Sequence, residues 1–570
     1  MDKKEIIKSL DEIALLLELK GENQFKTRAY SNASRALNTV SESISDLIET
    51  DTLKDIKGIG KSMIAKITEL ENTGELQYLD DLRAEFPDTL QEILQLPGMG
   101  PKKVKLFYDE LQIDSIEKLA AACKDERIAN LPGCGAKTAI KILESIDLKS
   151  RFADLFLFID VRNAAREFLA YLEVLPGIIR MSIAGSLRRY KETTKDLDIL
   201  ASSADPGAIM EHFVQHPNVH VIQGHGETKS SIRLDTGLQV DLRIVDDSIY
   251  PFALHHFTGS KDHNVQMRSR AIKMGYKLSE WGLFDADDKC FDCQDEESLF
   301  DRLGLRYIPP ELREGLGEIE SAENTDFPKL VTQGDYKGVL HCHSTASDGA
   351  DSIESLVQHA LSLGHSHLAI TDHSKSSVQA NGLSVERLIA QNEEIKALQD
   401  KYSDIRLFSA VECDILNDGS LDYDDEILEM LDFVVISVHG SFNKSIEEQT
   451  SRVIKAIEHP ASKILGHPTG RVLLRRESYA IDLSKVMDAA AANNVAIEFN
   501  CNPQRMEMDW RLWREATEKG VLCSLNPDAH SLSNFNFVED GIGFCRKGWL
   551  EAETIINCWP TEKLENFLKA

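Results

Sequence analysis

The sequence predicts a multidomain chain with an all-α N-terminal region, an α+β domain built on an antiparallel sheet, and a C-terminal α/β domain, either a barrel or a doubly wound sheet. Three observations predict it. A helix, glycine hairpin, helix pattern recurs three times before residue 150; the texture turns to short β-type runs from about Arg180; and apolar strand-like runs alternate with helical segments beyond residue 336. With 570 residues and 42% hydrophobic content, at roughly 100 to 200 residues per domain, there is material for several cores.

In residues 1–50, Ile6, Leu10, Ile13, Leu16 and Leu17 fall on one helical face, and Tyr30, Ala33 and Leu37 repeat the pattern. Then come LKDIKGIGKSMIAKI from Leu53, LQLPGMGPKKVKLF from Leu94 and IANLPGCGAKTAIKIL from Ile128. The paired glycines Gly58 and Gly60, Gly98 and Gly100, Gly133 and Gly135 allow a tight turn that aims amide N–H groups and the next helix N-terminus at an anion. Lys61, Lys102, Lys103 and Lys137 follow the hairpins. A single copy reads as well as a glycine cap between packed helices; three copies with trailing lysines do not. The segments resemble helix-hairpin-helix motifs, which contact nucleic-acid backbone irrespective of sequence.

The runs IIRMSIAGS, LDILASS, VHVIQG, SIRLD and LQVDLRIV predict the antiparallel sheet. Residues 313–336 are acidic without a long apolar period and predict a linker. GVLHCH, LAIT, IRLFSAVEC, FVVISVHG, ILGHP, VAIEFN and VLCSLNPDAH, interleaved with segments such as SIESLVQHALSLG, predict the C-terminal α/β domain.

A formal charge of −30 weighs against nucleic-acid binding by field alone, and residues 1–150 also carry more Asp and Glu than Lys and Arg. Any DNA contact must come from local geometry. The N-terminus lacks a basic stretch followed by an apolar run, and no window of about 18 apolar residues occurs, so the expectation is a cytoplasmic protein without membrane contact. Ten cysteines form no framework. Cys290 and Cys293 make one CxxC pair with no second pair to complete a zinc site.

The first chemical site lies in IAGSLRRYKETTKDLDILAS. Gly185 and Ser186 stand at a turn after a strand, and Asp196 and Asp198, two apart, share one face of the next. With Asp241 in LQVDLRIV they could hold two Mg²⁺ or Mn²⁺ ions for in-line phosphoryl transfer. A lone DxD is more often an exposed strand edge, but Gly-Ser, Arg188, Arg189 and the third aspartate accompany this one. GSLRR, DLDIL, VDL and HFTGSKDHNVQMRSRA from His256 resemble the nucleotidyltransferase superfamily, specifically family X DNA polymerases such as polymerase beta, over roughly residues 1–315. That resemblance implies metal binding by Asp196, Asp198 and Asp241, with Asp241 nearest the attacking oxygen. It implies that Ser186 and Arg189 hold the β- and γ-phosphates, that Phe257, Thr258 and Gly259 line the sugar, and that Asn264 meets the base edge and Arg268 the template. His256 departs from the tyrosine of the eukaryotic relatives. Lys66, six residues beyond Gly60, matches the family's Schiff-base lyase lysine, although a solvated helix lysine is the commoner role.

The second site gathers metal-type residues at strand ends: His341, His343 and Asp348 from LHCHSTASDG, His373 from ITDHS, Glu412 from AVECD, His439 from SVHG, His467 from GHPTG, and Asp528 and His530 from NPDAH. One histidine after an apolar strand is usually a bonded core residue; six of the chain's 17 at such positions suit a set of divalent ions. These motifs resemble the polymerase and histidinol phosphatase (PHP) domain, a distorted seven-stranded α/β barrel, and imply three divalent ions, Zn²⁺ or Mn²⁺, and 3′–5′ exonuclease activity. Arg471, close after His467, is a candidate for substrate phosphate.

The expected division is 1–90, a helical lyase-like DNA-binding domain with one hairpin; 91–150, a tandem helix-hairpin-helix DNA-binding region; 151–250, the nucleotidyltransferase palm; 251–315, a nucleotide-selection subdomain; 316–335, a linker; and 336–570, the PHP metal phosphoesterase domain. The implied function is gap-filling DNA synthesis in base excision repair by a monomer acting on gapped or primed DNA and deoxynucleoside triphosphates. The alternatives are a 3′-end nuclease or phosphatase with a weak palm, and a non-catalytic scaffold that bridges DNA ends.

Overall fold

The computed structural model describes residues 3–38, 43–56, 58–94, 96, 98–324 and 327–569. Lys57, Gln95 and Pro97 of the hairpin segments, and Thr325 and Asp326 of the expected linker, lie outside the described residues. The chain divides into two compact units, 1–153 and 154–570.

The described elements of the first unit are all helices. Ile6, Leu10, Ile13 and Leu17 of the helix Lys3–Lys20 are fully buried, as their spacing dictates, in a cluster that reaches Leu82. A second cluster joins Leu90, Val104, Phe107, Leu119 and Ile142. Between the paired helices the backbone turns at Gly58, Gly98 and Gly133, with φ of 99°, 77° and 76°, which only glycine adopts cheaply. Gly60, Gly100 and Gly135 then cap the helices Lys61–Thr73, Pro101–Leu111 and Ala136–Phe152.

The second unit begins with a five-stranded sheet ordered Arg180–Ile183, Asp196–Ser202, Gln239–Val245, Lys229–Leu234, Val219–His225. The sheet is mixed and departs from the expected antiparallel arrangement: Asp196–Ser202 and Gln239–Val245 run parallel, the other neighbours antiparallel. Parallel neighbours need a long crossover, and the helix Pro206–Val214 with the hairpin after it supplies one. Helices Phe158–Glu173 and Pro206–Val214 cover one face, burying Phe168, Phe213, Leu197, Ile199 and Val240. Alternation along the strands leaves the aspartates on the other face.

Helices Tyr250–Thr258, Lys261–Lys273 and Glu296–Arg302 close around Phe252, Met267 and Phe300. The stretch expected as a linker contains the helix Glu318–Glu323, whose Ile319 and Ala322 join that core. Its fully buried Glu318 accepts from His263 Nδ1 at 2.8 Å and from the amides of Gly315 and Leu316.

Seven parallel strands follow in chain order: Gly338–Val339, His367–Ile370, Arg406–Asp414, Phe433–Ser437, Ser462–Leu465, Ala496–Asn500 and Cys523–Asn526. The order never reverses, which excludes a doubly wound sheet. Cys342 bridges to Ala529, and the His343 amide donates to the Ala529 carbonyl at 2.8 Å, so the first and last strands almost close a barrel. Apart from the half-buried Arg406, every residue of the seven strands is buried, as both-face coverage requires.

Candidate functional site

On the open face of the palm sheet, Asp198 stands in register with Asp241, and Asp196 lies one pleat along from Asp198. Burial pushes the Asp198 carboxyl up to about 6, reinforced by the charges of Asp196 and Asp241. Asp196 is raised by burial and then by Asp241. Burial also opposes ionisation of Asp241, yet bonds from Lys229 at 2.9 Å, Ser231 and Gln239 at 3.0 Å hold it below the usual carboxylate range. Three carboxylates that penalise one another's ionisation form a donor set suited to divalent cations. Lys229, absent from the sequence reading, supplies positive charge at this edge; it is the first residue of a neighbouring strand and follows a glycine-rich turn, with no motif of its own.

Gly185 occupies the left-handed region at φ 62°, and a Cβ there would overlap the Asp198 carboxylate. The turn that carries Ser186 is therefore pressed against the acidic face. Arg188 is drawn away from it: its guanidinium makes two bonds to Glu296, at 2.6 and 3.2 Å, and one to Thr258 Oγ1 at 2.6 Å. Arg189 lies against Gly259, bonds the Thr258 carbonyl, and donates from Nε to Glu314 at 3.2 Å. Asn264 donates to the His256 carbonyl at 2.8 Å, and its buried Oδ1 has no partner. Arg268 donates to the Asn264 carbonyl at 3.2 Å, and the Phe257 ring carries the Arg243 guanidinium at 4.4 Å. The structure thus draws Gly185, Ser186, Arg189, Gly259 and the three aspartates to one side of the palm. In the N-terminal unit, Lys66 is half-buried, 3.4 Å from Ser62 Oγ and 4.9 Å from the centre of the Tyr78 ring.

At the C-terminal mouth of the barrel, the nine expected donors converge. Glu412 is the hub: one carboxylate oxygen lies 3.2 Å from His439 Nε2 and 2.8 Å from His467 Nε2. The other lies 2.9 Å from His373 and 3.6 Å from both His341 and His343. Three sets of donor atoms each fit around one ion: His343, Asp348, His373 and His530; His341, His343 and Asp528; and His373, Glu412 and His439. His467 completes the cluster through Glu412. Cys290 and Cys293 form part of none of these sets.

The electrostatics suit bound cations. His341 Nε2, His343 Nδ1 and His467 Nδ1 are buried without hydrogen-bond partners, a cost that proteins accept at sites built for another purpose. Burial resists the charge of Glu412, but His439, His373 and His341 hold it far below the ordinary range. His439 rises to about 10 against burial, pulled by Glu412 and Asp414, whereas burial and the neighbouring His530 and His373 push His343 down to about 4. This donor set fits divalent ions.

Behind these donors stand residues that sequence reasoning missed. Glu498 accepts from His341 Nδ1 at 2.7 Å and Asp414 from His439 Nδ1 at 2.8 Å, which orients each ring. The available signal was a carboxylate inside an otherwise apolar strand, in VAIEFN and AVECDI. Arg471 spends its guanidinium on the carbonyls of Arg505 and Met506 and on Asp509, so it braces a loop. Arg505 on that loop reaches within 3.7 Å of Asp528 and 3.2 Å of Glu507.

Four family descriptions match: Helix-hairpin-helix domain over residues 1–76, SAM-like Helix-hairpin-helix tandem over 90–147, DNA polymerase beta thumb over 253–314 and PHP domain over 340–502. The sequence is 38% identical to DNA polymerase/3'-5' exonuclease PolX of Bacillus subtilis (strain 168) over 574 residues, 100% of either chain. DNA polymerase lambda of Arabidopsis thaliana is 26% identical over 302 residues, 46% of this chain and 54% of that one. A probable phosphatase of Thermoanaerobacter sp. (strain X514) is 26% identical over 236 residues, 37% of this chain and 92% of that one. Helix-hairpin-helix domains, a polymerase beta thumb and a PHP domain in one chain, with full-length identity to PolX, establish that this protein belongs to the PolX family, the bacterial-type family X DNA polymerases with a C-terminal PHP domain.

Proposed function

We propose that this chain is a DNA-directed DNA polymerase that fills short gaps during base excision repair and carries a metal-dependent 3′–5′ exonuclease in its barrel. The observation that carries the reading is the pair of separate donor sets, three carboxylates on the palm and, at the barrel mouth, eight grouped donors with His467 beside Glu412. Asp196, Asp198 and Asp241 would hold Mg²⁺ or Mn²⁺, and the nine barrel donors three Zn²⁺ or Mn²⁺ ions. Such ions, when bound, lower the pKa of a hydroxyl or water and neutralise charge on phosphate. Gly185 lets the phosphate turn approach Asp198; Ser186 and Arg189 bind the triphosphate, where a guanidinium offsets charge on the departing pyrophosphate. Phe257 and Gly259 line the sugar, Asn264 the base and Arg268 the template. In the barrel, Glu498 holds the proton on His341 Nδ1, which leaves Nε2 free to bind an ion. The hairpin glycines hold DNA backbone through amide groups, consistent with the acidic net charge. The protein acts as a cytoplasmic monomer on primed or gapped DNA and deoxynucleoside triphosphates, and Lys66, beside Tyr78, is its candidate lyase nucleophile. The likeness to a probable phosphatase over 236 residues favours one second reading, in which the barrel also removes terminal phosphates from blocked 3′ ends.

The deciding experiment follows a labelled primer in a short-gap duplex with Mg²⁺ or Mn²⁺. Growth with nucleotides and shortening without them are expected; shortening alone would leave only the nuclease, and tight binding without turnover would make the chain a scaffold. Two variants refine the reading. Gly185→Ala, whose methyl overlaps Asp198 in a strained backbone region, should slow extension roughly ten- to hundredfold and spare shortening. An unchanged extension rate would remove the proposed role of that turn. Glu498→Gln should cost the barrel about 10- to 100-fold in metal affinity or shortening rate, measured by metal content and primer digestion; parental values for both would show that His341 needs no such support.

A further inference from the structure

The barrel's helix Phe537–Lys547 forms the floor beneath the palm's phosphate turn. Tyr190, next after Arg189, adopts φ 54° and turns its ring onto Phe544, edge-on at 5.6 Å, and Phe158, stacked at 5.1 Å. Gly543 is bare where any side chain would overlap the Tyr190 ring. At the end of the helix, Lys547 is fully buried, and its ammonium donates to the Arg189 carbonyl at 2.8 Å, to Glu314 at 2.6 Å and to the Glu311 carbonyl at 3.2 Å. These three acceptors use all its protons. The same Glu314 carboxylate takes Nε of Arg189 at 3.2 Å and faces Lys191 at 3.6 Å. One carboxylate therefore serves three cations, two from the palm and one from the barrel. The surplus positive charge beside the phosphate turn depends on Lys547. Without it, Glu314 would turn its full charge on Arg189 and Lys191.

We propose that Lys547 of the barrel is a positioning residue for nucleotide addition in the palm: it shares Glu314 and braces the Arg189 carbonyl, so that Arg189, held through Nε by Glu314 and through Nη1 by the Thr258 carbonyl, presents Nη2 to an incoming triphosphate. The PHP module thereby tunes the polymerase site through a bonded contact while its own mouth takes no part. This rests on the assignment of Arg189 to the triphosphate.

The test is steady-state gap filling by the full chain, with KM for the nucleotide and kcat measured separately for the parent, K547M, K547M/E314Q and R189A. K547M should raise KM about tenfold with kcat within about threefold, and removing the Glu314 charge in the double variant should return KM to within about threefold of the parent. A purely structural role for Lys547 gives no such rescue. Primer shortening without nucleotides should stay within about twofold in K547M, which verifies an intact barrel. A parental KM in K547M alongside a raised KM in R189A overturns the proposal, as does a double variant no better than K547M. If R189A leaves KM unchanged, the triphosphate assignment itself is wrong. Where K547M does not fold, K547Q, which keeps amide donors without the charge, is read by the same criteria.

Discussion

Asp198→Ala should reduce primer extension at least about a hundredfold while primer shortening stays within about twofold of the parent. Removing a residue that only orients a metal ligand already costs about 10- to 100-fold, and Asp198 is the middle of the three carboxylates, in register with Asp241 and one pleat from Asp196. The substitution should not unfold the palm. It deletes a carboxyl that burial and its neighbours already push up to about 6, and it leaves Leu197 and Ile199 in their packing under the helices. Extension and shortening assayed on one preparation provide the internal control. Retention of extension within tenfold, or joint loss of both activities, would defeat the separation of the two sites.

Glu412→Gln is expected to have the reciprocal effect, with primer shortening falling at least about a hundredfold and extension unaffected. The amide preserves volume in a fully buried position but removes the charge that faces five histidines, His341, His343, His373, His439 and His467. Bound metal should fall with activity, because the group uniting the cluster can no longer neutralise cations. Metal analysis of the purified variant beside the parent decides the point. Full metal content with lost activity would assign Glu412 to chemistry alone, and full activity would remove it from the centre.

Much of this was legible in the residues. Helical spacing at Ile6, Leu10, Ile13 and Leu17 predicted the buried face they occupy. Strand-end histidines announced a donor cluster because the alternation of strands and helices forces strand C-termini to one mouth. Period-two alternation alone assigned Asp196 and Asp198 to one face, whereas Asp241 joins them through the register of a second strand. Strand direction could not: nothing local marks Gln239–Val245 as parallel to Asp196–Ser202, since that depends on where a crossover lands. The acidic stretch after residue 315 looked like a linker because its few apolar residues have no long period, yet Ile319 and Ala322 suffice to bury a short helix once the thumb core presents a surface.

Residue chemistry thus specifies what local periodicity and donor type can carry: helices, strands, hairpin turns and the identity of the metal-type side chains. Partnership across the chain belongs to the tertiary structure. Arg471 bracing a loop, Glu498 behind His341, and Lys547 sharing Glu314 with Arg189 join residues far apart in sequence. Hydrogen bonds and buried charges act over a few ångströms, and only the folded chain determines which groups come that close.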